Sequence, residues 1–253
     1  MIQKEFVTIF PTIGSLDVVK KTLPSVLEES SRNNACVIVR ENSFKYTDKL
    51  EWLLELDKKY KCMWLMITDL VSVATTLNTC LYLAKEMYNP KYISFIEDDH
   101  GYNKGFITEM IHMIDSYYGK KSPTGLSYGI FSGCNKHIDK INLDKIDGNL
   151  YPTIKNDPNV LGGHCACCIC TYTSHWDSVL KGYDSDEYLL SSFQTKSLRN
   201  RNYNKGYTYM ISGKGIMNYI DRIGRGGTTD KKLRRWDPKY SKSDKRSKCE
   251  KDE

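Results

Sequence analysis

Three consecutive acids, Glu97, Asp98 and Asp99, end the apolar run "YISFI", and His100 follows them. Neighbouring carboxylates repel, and a buried charge without a partner is costly. Such a knot is either a solvated turn or the ligand set of a cation. Carboxylate oxygens select hard divalent ions such as Mg²⁺ or Mn²⁺. An ion of that kind acts as a Lewis acid and offsets negative charge on a bound ligand. On this reading Asp99 binds the metal directly. Glu97 and Asp98 meet the metal, a water bound to it, or a ribose.

Further polar residues fall where other apolar runs stop. Pro11, Thr12 and Gly14 follow "FVTIF", Glu41 and Asn42 follow "CVIVR", and Asp69 follows "CMWLMIT". Carboxylates and amides in such places can hydrogen-bond a ligand bound beyond the strand ends, and Gly14 would let the backbone approach it. Each of them singly also fits ordinary turn chemistry. Near the C-terminus, "DRIGRGG" offers Arg222 and Arg225 as a diphosphate clamp, because guanidinium pairs well with phosphate oxygens. Asp221 or Asn218 would add a metal contact there. In "KGYDSDEYLL", Asp184, Asp186 and Glu187 are clustered carboxylates, a residue type that can act as a general base. Acids before a helix equally serve as caps.

The elements that would position these residues alternate. "FVTIF" reads as a strand interrupted by the turn residues "PTIGS". "LDVVKKTLPSVLEES" has helical spacing, with Pro24 predicting a kink or a late start. "CVIVREN", "CMWLMITD" and "YISFIEDD" read as strands. "YTDKLEWLLELDKKY" reads as a helix with Leu50, Leu53 and Leu54 on its apolar side, and "SVATTLNTCLYLAKEMY" as one with Val73, Leu77, Leu81 and Ala84 aligned. This βαβαβαβ order predicts a largely parallel sheet covered by helices, with ligands bound beyond the carboxyl ends of its strands. All four polar groups would then share one rim. The second half is less regular: a helix in "GFITEMIHMIDSYYG", a strand in "GLSYGIFSG", loops or hairpins from Cys134 to Asn159, then a strand, a short helix, a second helix and a last strand.

In order and spacing these segments resemble a GT-A-fold glycosyltransferase of the family-2 type. "VTIFPTIGS", "CVIVRENS", "SVATTLNTCLYLAKE" (of the form A-x-x-L-N-x-x-x-x-x-A, with Asn78), "ISFIEDD" and "KGYDSDEYLL" stand where that family carries a strand with a Pro-Thr turn, a strand ending in acid, a helix, a D-x-D strand and an acceptor segment. The first acid here is Glu97 rather than Asp, and the family's Q-x-x-R-W is missing. The resemblance implies a GT-A, Rossmann-like α/β fold with a central, mostly parallel mixed sheet. It implies one domain over residues 1–227, with a nucleotide-binding half to about residue 103 and an acceptor-binding half after it. It also implies a nucleotide-sugar donor such as a UDP-sugar, Mn²⁺ or Mg²⁺, a glycan or other hydroxyl acceptor, and an inverting transfer with a carboxylate base. Pro11, Thr12, Gly14, Glu41, Asn42, Asp69, Asn78, Glu97, Asp98, Arg222 and Arg225 would line the donor site. Asp99, Glu97 and Asp221 would hold the metal, and Asp186 or Glu187 would act as base.

Bulk properties fit a soluble globular protein. The chain has 253 residues, with 40% hydrophobic and 27% charged side chains. The N-terminus enters a strand-like run at once, without the sections of a signal peptide, so the expected location is cytoplasmic. Nine cysteines then predict free thiols rather than disulfides. Cys165, Cys167, Cys168 and Cys170 in "HCACCIC" form interleaved C-x-x-C pairs. On a strand they would point to opposite faces, which suits buried thiols better than one tetrahedral zinc. None of the histidines is assigned to a metal, although His164 would border the acceptor cleft. Trp176 is the candidate acceptor-side aromatic. Residues 228–253 are rich in Lys and Arg and are expected to form a solvated tail, with possible contact to anionic membrane or nucleic acid. The competing readings are a nucleic-acid-binding protein, an inactive glycosyltransferase-like binding protein, and a sugar-phosphate nucleotidylyltransferase. "PTIGSLDVVKK" is a poor phosphate loop for the last of these.

Overall fold

The computed structural model describes residues 4–12, 15–41, 47–67, 73–122, 125–133, 150–152, 168–182, 198, 200–212 and 217–219. Its first half is a repeated strand–helix unit: β1 (Phe6–Thr12), α1 (Leu16–Arg32), β2 (Ala35–Glu41), α2 (Thr47–Lys59), β3 (Met63–Ile67), α3 (Val73–Tyr88) and β4 (Tyr92–Ile96). A three-residue strand β5 (His100–Tyr102) and helix α4 (Phe106–Tyr117) follow. The remaining strands are β6 (Ser127–Ser132), β7 (Leu150–Pro152), β8 (Cys168–Tyr172), β9 (Tyr207–Ser212) and β10 (Met217–Tyr219). After β8 comes a helical turn, Thr173–His175, which continues as a π-type turn over Trp176–Leu180.

Eight strands form one sheet in the order β3-β2-β1-β4-β8-β6-β9-β7. β1 is parallel to β2 and to β4, and β2 is parallel to β3, so these four strands end on one rim as the alternation predicts. β8 runs antiparallel between β4 and β6, while β9 is parallel to β6, which makes the sheet mixed. β5 lies outside this sheet and pairs antiparallel with β10.

Successive side chains on a strand point to opposite faces, and both faces here are covered, so the strands read as unbroken apolar runs. All of β2 and all of β4 are buried. One core packs Phe6, Phe10, Val37, Val39 and Ile96 under α1, α2 and α4, through Leu23, Val26, Leu53 and Phe106. The other packs Val7, Ile9, Ile38 and Ile93 under α3 and the 176–180 turn, through Leu77, Leu81, Ala84 and Trp176.

Five local readings change. β1 is not interrupted at Pro11 but runs to Thr12 beside Glu41. Its pairing with β4 stops at Ile9, so Pro11, which has no N–H to donate, sits where the strand is paired on one side only. α1 starts at Leu16 and passes through Pro24 without a break. On α2 the buried face is Lys49, Leu53 and Leu56, whereas Leu54 is exposed. β7 closes the sheet edge inside the stretch expected to be loop or hairpins, and β10 has no counterpart in the sequence reading.

Candidate active site

The acid turn leaves β4 at the common rim. Ile96 is the last residue in the sheet, and the His100 N–H donates to the Glu97 carbonyl at 3.0 Å, closing a turn over residues 97–100. Folding the chain back into β5 brings together groups that a continuing strand would have sent to opposite faces. One oxygen each of Glu97 and Asp99 and one ring nitrogen of His100 all lie within 4.8 Å of one another. His100 Nδ1 is 2.6 Å from Asp99 Oδ1, with both side chains largely out of solvent. Atoms that close need a positive species between them, a proton or a cation. Two carboxylate oxygens and an imidazole nitrogen suit a divalent ion such as Mn²⁺. Among the described residues this is the one group of three or more metal-ligating side chains.

His100 is the residue that sequence reasoning missed. Its signal was its place directly after Asp99, which becomes visible only once the strand is known to end at Ile96. Asp98 is buried, and its backbone carbonyl accepts a hydrogen bond from Thr22 Oγ1 at 2.7 Å.

The neighbouring strand ends complete the rim. Glu41 ends β2, but its carboxylate lies 2.7 Å from Lys49 Nζ of α2, and both are buried. Burial pulls the Lys49 pKa down, and the Glu41 carboxylate opposes that shift. Thr12, at the end of β1, is buried, and its Oγ1 has no hydrogen-bond partner among the described residues. Pro11 pairs with Arg40, so both lie on the face opposite Thr12 and Glu41, where the buried Arg40 side chain reaches toward Cys80. Burial raises the Cys80 thiol to about 11, with Arg40 working against it. Asn218 lies in β10, opposite Gly101.

Asn78 is on α3 and packs against Gly182. A Cβ on Gly182 would fall 2.6 Å from Asn78 Oδ1, and Gly182 has φ +70, so glycine is required there on both counts. The Gly182 carbonyl also accepts a hydrogen bond from Arg201 Nη2. The start of "KGYDSDEYLL" is therefore held from two sides. Gly14, Asn42, Asp69, His164, Asp184, Asp186, Glu187, Asp221, Arg222 and Arg225 lie outside the described residues, as do Cys165, Cys167 and the tail.

Two expectations meet the core instead of a cleft. Trp176 is 2% exposed and donates its indole N–H to the Ile93 carbonyl at 3.3 Å. It is a packing residue, so the assignment as an acceptor-side aromatic is corrected. Cys168 and Cys170 are free, buried thiols on the same face of β8, as expected for strand cysteines. Burial pushes the Cys170 thiol well up.

The sequence matches no family model and no curated protein. The structure does match solved ones. A mannosyltransferase from Pyrobaculum calidifontis, in complex with GDP-Man and Mn²⁺, superposes over 88% of this chain with a TM-score of 0.56 and 14% identity. The fold is GT-A. Residues 1–349 of S. aureus TarS, in complex with UDP-GlcNAc, match over 88% with a TM-score of 0.55 and 13% identity. GalNAc-T7 with UDP, GalNAc and Mn²⁺ matches over 89% with a TM-score of 0.58 and 9% identity. This chain spans 59%, 60% and 45% of those three chains respectively. Among the described residues no helix is long and apolar enough to cross a membrane.

Proposed function

We propose that the protein is a metal-assisted glycosyltransferase that moves a sugar from a nucleotide-sugar donor to a hydroxyl acceptor. The observation that carries this is the convergence of Glu97, Asp99 and His100 at the carboxyl rim of the parallel strands of a GT-A sheet. In open α/β sheets that rim is where ligands bind. Structural neighbours whose names include a nucleotide or nucleotide-sugar with Mn²⁺ support the donor class.

In this reading Glu97, Asp99 and His100 hold a divalent cation, which neutralises the diphosphate as it leaves. Asp221 is a further candidate ligand, and Arg222 and Arg225 clamp the same phosphates. Thr12, whose hydroxyl has no partner among the described residues, lines the donor from the end of β1, with Pro11 before it and Gly14 after it. Asn42 and Asp69 hold the base or ribose from the ends of β2 and β3. Glu41 contributes at the floor of the same site while held by Lys49, and Asp98 meets the ribose side of the turn. Asp186 or Glu187 takes the proton of the acceptor hydroxyl as it attacks the anomeric carbon from the face opposite the diphosphate, which gives inversion. Gly182, anchored by Asn78 and Arg201, sets where that segment begins. A uridine diphosphate sugar is the first donor to test.

The test is thermal stability with UDP, GDP and their sugars, each with and without Mn²⁺. A ligand that binds only the folded state at about 100 times its Kd adds about 2.7 kcal/mol. For a chain of this length that is a rise of about 5–11 °C in Tm. The expected result is a shift with one nucleotide, dependent on the cation and lost in Asp99→Asn, accompanied by release of sugar from that donor. No shift with any nucleotide, or a full shift in Asp99→Asn, would overturn the proposal.

A further inference from the structure

On the side of α1 that packs against the rest of the chain, polar residues sit among Leu23, Val26 and Leu27: Thr22 and Glu29 are buried, and Ser25 is half-buried. Polar groups taken out of water are costly unless they are hydrogen-bonded, so their partners explain why they are there. All three reach the same short stretch of backbone. Thr22 Oγ1 donates to the Asp98 carbonyl at 2.7 Å. Ser25 Oγ accepts from the Tyr102 N–H at 3.1 Å and donates its own proton to the Thr22 carbonyl at 2.7 Å. Glu29 Oε1 accepts from the Gly105 N–H at 3.1 Å and, at 3.4 Å, from the Ile107 N–H in the first turn of α4. These bonds hold the chain just after Glu97, at the end of β5 and beyond it at the start of α4.

The approach is at backbone distance. A Cβ on Gly101 would fall 2.6 Å from Ser25 Oγ and 3.3 Å from the Thr22 carbonyl. From the sheet side, Thr8 Oγ1 and Ser94 Oγ each lie 3.1 Å from the Tyr102 hydroxyl, so β5 is pinned between α1 and the sheet. A short turn of like-charged residues has no intrinsic reason to aim its carboxylates at one point. Ligands converge only when the backbone beneath them is held, and outer partners that hold ligands commonly change metal affinity 10–100-fold (a rough range).

We infer that Thr22, Ser25 and Glu29 form a clamp on α1 that sets the backbone of the acid turn, so that Glu97, Asp99 and His100 converge on the cation. They are positioning residues, and the inference rests on the metal reading proposed above.

The test uses the full chain and Mn²⁺ alone. Thr22→Val keeps the shape of the side chain and removes the donor, whereas Thr22→Ser restores it. Mn²⁺ affinity is read by the paramagnetic resonance signal of free Mn²⁺, and backbone opening by amide hydrogen exchange over residues 98–105. The expected result is an affinity about tenfold weaker in Thr22→Val with faster exchange confined to those residues, and near wild-type values in Thr22→Ser. If Thr22→Val does not fold, Ser25→Ala, which leaves the Tyr102 N–H without its acceptor, takes its place with the same expectation. Wild-type affinity and unchanged exchange in the valine or alanine variant overturn the clamp and leave the metal reading intact. A wild-type protein that binds no Mn²⁺ at millimolar concentration overturns the metal reading, and the clamp's role toward the cation with it.

Discussion

Replacing Lys49 by methionine isolates one charge in the interior. Lys49 Nζ lies 2.7 Å from Glu41 Oε2, and the two side chains are 0% and 2% exposed. Methionine is close to lysine in length but brings no charge, so Glu41 is left as a buried carboxylate without its cation. Breaking a buried pair from one side costs about 3–5 kcal/mol, because the remaining charge keeps its desolvation penalty. At about 2–4 °C per kcal/mol for a chain of this size, Tm should fall by about 6–20 °C. Removing both charges in Glu41→Leu/Lys49→Met should return most of that loss, since a buried pair replaced by apolar groups is often close to neutral. Urea unfolding of the four proteins at pH 7.5 completes the cycle, with a coupling of at least about 2 kcal/mol expected. A single variant within about 1 kcal/mol of wild type, or additive losses, would refute the reasoning about burial. The double variant also separates fold from function. With its fold intact and Glu41 gone, it should show a weaker nucleotide-dependent rise in Tm if Glu41 belongs to the donor site.

Two further outcomes follow from the β8-β6-β9 part of the sheet and its bulge. His175 is buried, with Nδ1 2.8 Å from the Tyr118 hydroxyl and Nε2 2.9 Å from Asn202 Oδ1, and burial lowers its pKa to about 4 against the Asn202 bond. The unfolded chain takes up this proton near its ordinary 6.5 and the folded chain only near 4, so stability is full above about 6.5 and falls as pH drops between the two values. The loss attributable to this residue approaches about 3 kcal/mol. Urea midpoints from pH 7 to 4.5 should show it in the wild type and a flatter profile in His175→Gln, and equal slopes would count against it. Gly129 sits at the β6 bulge, where an added Cβ would be 2.6 Å from His175 Cε1 and 2.9 Å from Tyr207 Cδ1. Both rings are packed, so Gly129→Ala should cost about 1–3 kcal/mol in urea unfolding, and an unchanged midpoint would show that the site can relax.

Much of the first half was legible because its physics is local. Strands covered on both faces read as apolar runs, helices as period-3.6 patterns, and their alternation leaves a parallel sheet with one functional rim. Errors arose where a local signal was outvoted. Pro11 argues for a break and Pro24 for a kink or a late start, but β1 has no β4 partner at Pro11, and α1 already runs from Leu16 through Pro24. Lys49 carries no signal of burial in the sequence, since lysine is normally exposed, and only the fold supplies Glu41 to neutralise it. Trp176 suggested a sugar platform by type alone, whereas its environment is the core beneath α3.

The residue types at the site were written in the chain: an acid knot after an apolar strand, with polar residues after each of its neighbours. Chemistry of this kind depends on which atoms are present, and a sequence states that directly. The grouping of those atoms was decided by tertiary structure. His100 joins Glu97 and Asp99 because the chain turns back into β5, and that turn is held by hydrogen bonds from Thr22, Ser25 and Glu29, more than seventy positions earlier. Long-range backbone contacts have no periodicity or composition of their own. They become visible only when the helix that makes them is laid against the turn that receives them.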